Sequence, residues 1–167
     1  MRKGNGGPYV AHGPLVGYRG RSAIALGGSM CHGAFLAYPV DLPDFSFTPV
    51  FALCRSGFSN AFLSATTLEA DAGLRFGHTF DLPWFSVGLG VGAGGALLHQ
   101  SFDTAGEAPD RTVASGYASA SAELSMDLGT GIFASVEGAA WVFVLSKESG
   151  LGATPAGSIA AGVGKRW

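Results

Sequence analysis

Apolar and polar residues alternate with period two along most of this chain. Between Arg111 and Leu128, Ala114, Gly116, Ala118, Ala120, Ala122, Leu124 and Met126 make one face, and Ser115, Tyr117, Ser119, Ser121, Glu123, Ser125 and Asp127 make the other. The pattern recurs over 132–144, where Ile132, Ala134, Val136, Val142 and Val144 oppose Ser135 and Glu137. Over 66–80, Leu68, Ala70, Ala72, Leu74 and Phe76 oppose Glu69, Asp71 and Arg75. Period two is the side-chain period of a β-strand. Leu82 to Phe102 is a run of 21 residues without Asp, Glu, Lys or Arg, long enough for a membrane helix. Its Gly88, Gly90, Gly92 and Gly94 alternate with Leu89, Val91 and Ala93. A strand gathers those glycines on one face, whereas a helix would lose roughly 1 kcal/mol at each.

Three turn signals punctuate the alternation: Asp41-Leu42-Pro43-Asp44, Asp81-Leu82-Pro83-Trp84 and Asp127-Leu128-Gly129-Thr130-Gly131. Folding the chain about the middle of each sets Tyr38 opposite Phe47 and His32 opposite Leu53, then Phe76 opposite Leu89 and Leu74 opposite Val91, then Leu124 opposite Ala134 and Ala122 opposite Val136. Apolar faces meet apolar faces at all three hairpins, an agreement that a slip of one residue would destroy. Strands are predicted at 9–18, 23–40, 45–55, 66–80, 84–99, 112–127, 131–145 and 155–167. The short turns alternate with outward loops at 19–22, 56–65, 100–111 and 146–154. This organisation predicts an all-β fold, an eight-stranded antiparallel up-and-down transmembrane β-barrel, as one domain over 1–167 with a flexible segment at 1–8.

Composition narrows the class. Charged residues are 13% of the chain and mean hydropathy is +0.31, which excludes a disordered polymer. Ten basic and 12 acidic residues give a net charge of −2, so no nucleic-acid partner is expected. A soluble barrel buries its apolar face inside; a membrane barrel turns it outward. The polar faces here are small and sparsely charged, which favours the membrane form. Tyr38, Phe45, Phe47, Phe80, Trp84 and Phe85 cluster at the turn ends as an interfacial girdle would. Met1-Arg2-Lys3 has no apolar run behind it, so no signal peptide is read here.

Counted by twos, the end of the chain reads Ile159, Ala161, Val163, Lys165, Trp167, within Gly162-Val163-Gly164-Lys165-Arg166-Trp167. An alternating last strand with an aromatic terminus resembles the insertion signal of bacterial outer-membrane β-barrel proteins, and the whole chain resembles the small OmpA/OmpX-type barrels. It departs from them in Lys165, where an aromatic or aliphatic residue is usual, and in Trp167 rather than Phe. The resemblance implies the outer membrane of a Gram-negative cell, contact with outer-membrane lipid and lipopolysaccharide, and recognition of Val163, Lys165 and Trp167 by the barrel-assembly machinery. It is silent on activity, because such barrels include adhesins, enzymes and pores.

In an inverted barrel Glu69, Asp71, Arg75, Glu123 and Glu137 face the lumen, with Arg166 near the periplasmic end. Four acids against two bases form either a polar plug in a narrow interior or an ion path. Cys31 and Cys54 fall directly opposite each other, pointing inward. They are either a disulfide, in an oxidising envelope, or two small apolar lumen residues. His12, His32, His78 and His99 share no metal-ligand spacing, and no metal or cofactor is expected. His99 and Ser101 lie on one side of a strand, with Asp103 or Glu107 available to orient the imidazole. The fragment resembles the His-x-Ser element of outer-membrane lipid A deacylases, but departs from it at Phe102, where that family has Asn. The run Gly90-Val91-Gly92-Ala93-Gly94-Gly95 lacks the Lys-Ser/Thr of a phosphate loop and reads as a strand face packed on Tyr117 or Trp141. A structural or partner-binding role through the outward loops is therefore expected. A lipid-modifying hydrolase using His99, Ser101 and Glu107, and a narrow pore, are the alternatives.

Overall fold

A computed structural model describes residues 10–24, 29–43, 45–60, 63–104, 109–147 and 150–167. Within them the regular elements are strands: β1 (Leu15–Ser22), β2 (Met30–Ala37), β3 (Ser46–Ser59), β4 (Leu63–Asp81), β5 (Ser86–Thr104), β6 (Arg111–Gly129), β7 (Ile132–Lys147) and β8 (Gly150–Lys165). Two-residue pieces, Ala11–His12 and Val40–Asp41, continue β1 and β2 toward the turn end. Each strand pairs antiparallel with its sequence neighbours. β8 also pairs with β1, so the sheet closes on itself. Residues 1–8, expected to be flexible, lie outside the described residues.

The barrel is inverted. Leu74, Val91, Leu124 and Val136 are 46%, 62%, 54% and 53% exposed, while Glu69 and Asp71 are 0% and 2% exposed. Apolar rows facing outward over a wall of this kind meet lipid, and closure leaves no free ladder edge within the apolar band. At the turn end Tyr38, Phe45, Phe80, Trp84, Phe85 and Trp167 point outward as a belt.

The long strands correct the predicted loops. β4, β5 and β6 each run 19 residues, about twice what crosses the apolar core, so they project well beyond it at the end opposite the turns. The connections shrink from 56–65, 100–111 and 146–154 to 60–62, 105–110 and 148–149. The first strand is also corrected. The 19–22 loop does not exist: Arg19, Gly20, Arg21 and Ser22 are the outer half of β1, and Arg19 and Arg21 face the lumen.

The predicted pairings keep their faces but lie two residues off. Phe76 pairs with Val91, not Leu89; Leu53 pairs with Ala34, not His32; Leu124 pairs with Val136, not Ala134. The proline turns explain the first two. Leu82 donates its N–H to the Phe85 carbonyl at 2.9 Å, and Leu42 to that of Phe45 at 2.9 Å, so the chain reverses after the proline and not before it. Proline's fixed φ suits the first central position of such a turn. In the third turn Gly129, Thr130 and Gly131 all take positive φ (94°, 52° and 79°) beside a bulge at Asp127/Gly129, which moves the centre to Thr130.

Prolines also mark where pairing stops. Pro14, Pro39 and Pro49 offer no N–H at the level where β1 and β2 break from their short extensions. β1 and β2 make a short hairpin, so among the described residues Gly150–Gly157 of β8 has β7 alone as a ladder partner. Pro155 sits in that stretch, where a missing N–H costs no ladder bond, and the Gly157 N–H is met by Ser22 Oγ at 2.9 Å.

Candidate functional site

The lumen holds the charged residues. β1 aims Arg19 and Arg21 across the axis at β4, which supplies Glu69 and Asp71 from the same inward row. Arg19 is ion-paired with Asp71 and Arg21 with Glu69, and Arg21 Nη1 reaches Asp71 Oδ2 at 3.3 Å. All four side chains are buried. Glu69 also accepts the Ile24 backbone N–H at 3.4 Å. Aromatic rings complete the layer: Arg19 lies 5.2 Å from the Trp141 ring centre, and Arg21 4.7 Å from that of Phe143. Trp141 donates its indole N–H to Ser158 Oγ at 2.8 Å and packs edge-on against Tyr117 at 4.9 Å. Desolvating these charges is costly, and the ion pairs offset it only in part: Arg19 Nε, Arg21 Nε and Asp71 Oδ1 are buried without a hydrogen-bond partner among the described residues.

Toward the turn end the next layer is Arg75, which meets Glu123 at 3.0 Å and is also ion-paired with Glu137. Lowest is Arg166, 3.3 Å from Asp41 and stacked 4.0 Å over the Phe133 ring. All six acidic and basic residues expected in the lumen thus lie there, but in three separate layers. Arg19 and Arg21 raise the bases from two to four, and Asp41, the partner of Arg166, raises the acids from four to five. Among the described residues, two cavities of about 40 Å³ each are lined by both Arg75 and Glu123. Each has room for a few water molecules.

The glycine stripe makes room for the aromatic layer. A Cβ on Gly73 or Gly94 would lie 2.1 or 2.5 Å from the Tyr117 hydroxyl oxygen.

Cys31 and Cys54 are joined by a disulfide, with Cα atoms 5.5 Å apart. They are not directly opposite, as expected, because the register shift pairs Cys54 with Gly33; the bond runs diagonally on the inward face. With Glu69 these sulfurs form a compact group, but the sulfurs are bonded to each other and the carboxylate is held by Arg21, so the group is not a cation site.

His99 and Ser101 both lie on the outward row, away from the lumen network. His99 Nδ1 is hydrogen-bonded to Thr112 Oγ1 at 3.0 Å, and Nε2 lies 3.9 Å from Asp110. Both ring nitrogens are turned to the 110–112 segment, and among the described residues no hydrogen bond joins His99 to Ser101. Glu107 lies outside the described residues.

No family model and no curated protein sequence matches the chain. Solved outer-membrane proteins do match its backbone. Ail, the attachment invasion locus protein of Yersinia pestis, aligns at 17% identity and TM-score 0.63 over 94% of this chain and 98% of Ail. Neisserial surface protein A aligns at 14% identity and TM-score 0.61 over 95% of this chain and 97% of its own. The fold is that of the small outer-membrane β-barrels. A major outer-membrane protein of Thermus thermophilus aligns equally far, at 10% identity and TM-score 0.60 over 93% of this chain and 99% of its own. At such identities the shared property is architecture.

In this barrel the last strand is held on both sides. Lys165 donates its N–H to Pro14 at 3.1 Å, Arg166 to Gly131 at 2.7 Å and Trp167 to His12 at 3.2 Å. Val163, Lys165 and Trp167 point outward, and Lys165 Nζ lies 5.8 Å from the Trp167 ring. The residues the sequence reading missed are Arg19 and Arg21. Two signals could have found them: the alternation of Val16 and Tyr18 with Leu15, Gly17, Arg19 and Arg21, and the shortage of positive charge in the lumen.

Proposed function

We propose that this chain is an integral outer-membrane barrel with a structural or partner-binding role carried at its loop end, its lumen serving as a closed, rigid core. One observation carries this reading: the Arg19–Asp71 and Arg21–Glu69 pairs, backed by Trp141 and Phe143, block the axis in the half nearest the loops. A closed core that holds long projecting strands in place suits presentation of a surface better than transport. The architectural match with Ail, solved also with the heparin analogue sucrose octasulfate, supports a surface role without naming a ligand.

The test is complementation of a deletion strain, scored by detergent sensitivity of the envelope, together with planar-bilayer recording of the purified chain. Conductance at baseline, with rescue lost when 105–108 and 148–149 are replaced by Gly-Ser of equal length, supports the reading. Regular single-channel steps, or full rescue by the loop-replaced chain, overturn it.

A further inference from the structure

The outward wall across β8, β1, β2 and β3 differs from the rest of the apolar belt. One register row there reads Ile159, Gly20, His32, Arg55. Over Gly20 lies a groove of about 480 Å³, edged by Tyr18, Met30, His32, Gly157 and Ile159, a volume within the range of small-molecule sites, roughly 300–1,000 Å³. A Cβ at Gly20 would meet nothing nearer than Met30 Cε at 3.7 Å and His32 Nδ1 at 3.8 Å, so the floor is open.

The groove itself is almost wholly apolar, with Tyr18 and His32 at its edge and Arg55 next to His32 in the row. The Tyr18 hydroxyl is hydrogen-bonded to His32 Nδ1, which leaves Nε2 as the ring's remaining polar atom. Arg55, the next residue along the row, is exposed and makes no hydrogen bond or ion pair among the described residues. Its register partners are His32 and Leu68, neither of them acidic. The arginine guanidinium presents a planar donor fork that matches phosphate. Depth fits a headgroup. Ile159 stands eight positions before Trp167, and Arg55 ten positions after Phe45, while about nine to eleven tilted residues cross the apolar core. The row therefore lies at the outer limit of that core, where acyl chains give way to phosphates.

We propose that this wall binds one phosphate-bearing lipid of the outer leaflet, with an acyl chain lying over Gly20 and a phosphate held by Arg55 and His32. The leaflet assignment rests on the membrane reading above; binding itself is measured in detergent and stands or falls separately. The full chain in dodecylmaltoside is titrated with lipid A, with fully dephosphorylated lipid A and with inorganic phosphate, and read by native mass spectrometry. One lipid A per barrel is expected. Affinity is expected to fall about tenfold on dephosphorylation, in Arg55→Gln, and in Gly20→Leu, each of which removes one group of contacts. Inorganic phosphate is expected not to compete. Both substituted side chains point away from the lumen, and unheated gel mobility reports folding of each variant. If either variant fails to fold, the comparison of the two lipids on the unaltered chain decides. Equal retention of the two lipids, unchanged affinity in folded Arg55→Gln or Gly20→Leu, or full competition by phosphate overturns the site.

Discussion

Arg21 and Glu69 are ion-paired across the barrel axis with both side chains wholly removed from solvent. They come from β1 and β4, strands that share no ladder, so the pair ties opposite walls together in a way backbone hydrogen bonds cannot. Removing one partner strands the other charge in a low-dielectric interior. Arg21→Ala is expected to destabilise the barrel by roughly 3–5 kcal/mol, and the double change Arg21→Met with Glu69→Leu to recover much of that. Urea unfolding in detergent micelles, followed by the gel shift of the folded barrel, measures both.

Arg75 lines both lumen cavities and is, among the described residues, the base ion-paired with Glu123 and Glu137. Arg75→Ala should join the cavities and leave two carboxylates facing each other, yet the Arg19–Asp71 layer above still closes the axis. Bilayer conductance is therefore expected to stay at baseline in Arg75→Ala. A clear rise in that variant alone would mean that Arg75 is the barrier and the upper layer is permeable.

Gly73 and Gly138 make a matched pair for the packing argument. A methyl group on Gly73 would collide with the Tyr117 hydroxyl and the Ala93 carbonyl, whereas one on Gly138 meets nothing within 4 Å. Gly73→Ala is expected to cost roughly 1–3 kcal/mol, the usual range for overpacking, and Gly138→Ala to be nearly neutral. Equilibrium unfolding of the two variants side by side checks this.

The Cys31–Cys54 bond fastens the outer end of the short β1–β2 hairpin to β3, Cys31 lying one residue past the last ladder pair, His32–Arg55, and Cys54 one residue inside it. The intact chain should have the mass of the disulfide form without reductant. Cys31→Ser with Cys54→Ser should unfold with a stability lower by roughly 3 kcal/mol, as expected for a closed loop of this length. Hydrogen exchange should rise first in β1 and β2. Free thiols in the unreduced mass, or unchanged exchange in the variant, would contradict the assignment.

Much of the barrel was legible in the chain because a strand's side chains have a period of two and neighbouring strands are joined by short turns. Alternation placed Glu69, Asp71, Arg75, Glu123 and Glu137 on one face and Leu74, Val91, Leu124 and Val136 on the other. Register was legible only to its parity. Whether the chain reverses before or after Pro83 changes each pairing by two residues but no side chain's face, so hydrophobic matching accepts both answers. The same ambiguity misplaced the Cys31–Cys54 geometry while leaving both sulfurs inside. Arg19 and Arg21 were lost because two arginines flanking a glycine carry the composition of a loop, and local composition says nothing of carboxylates on a strand about 50 positions later.

The linear order of residues thus determined the period, the two faces, the turns and hence the closed wall, all properties of contacts between neighbours in sequence. The tertiary structure alone decided which charges meet across the axis, Arg19 with Asp71 and Arg21 with Glu69, and that of the two aromatics expected over the glycine run it is Tyr117 that lies over Gly94, and over Gly73 as well. Those contacts depend on the radius and tilt at which the wall closes, a collective property of eight strands that no single segment encodes.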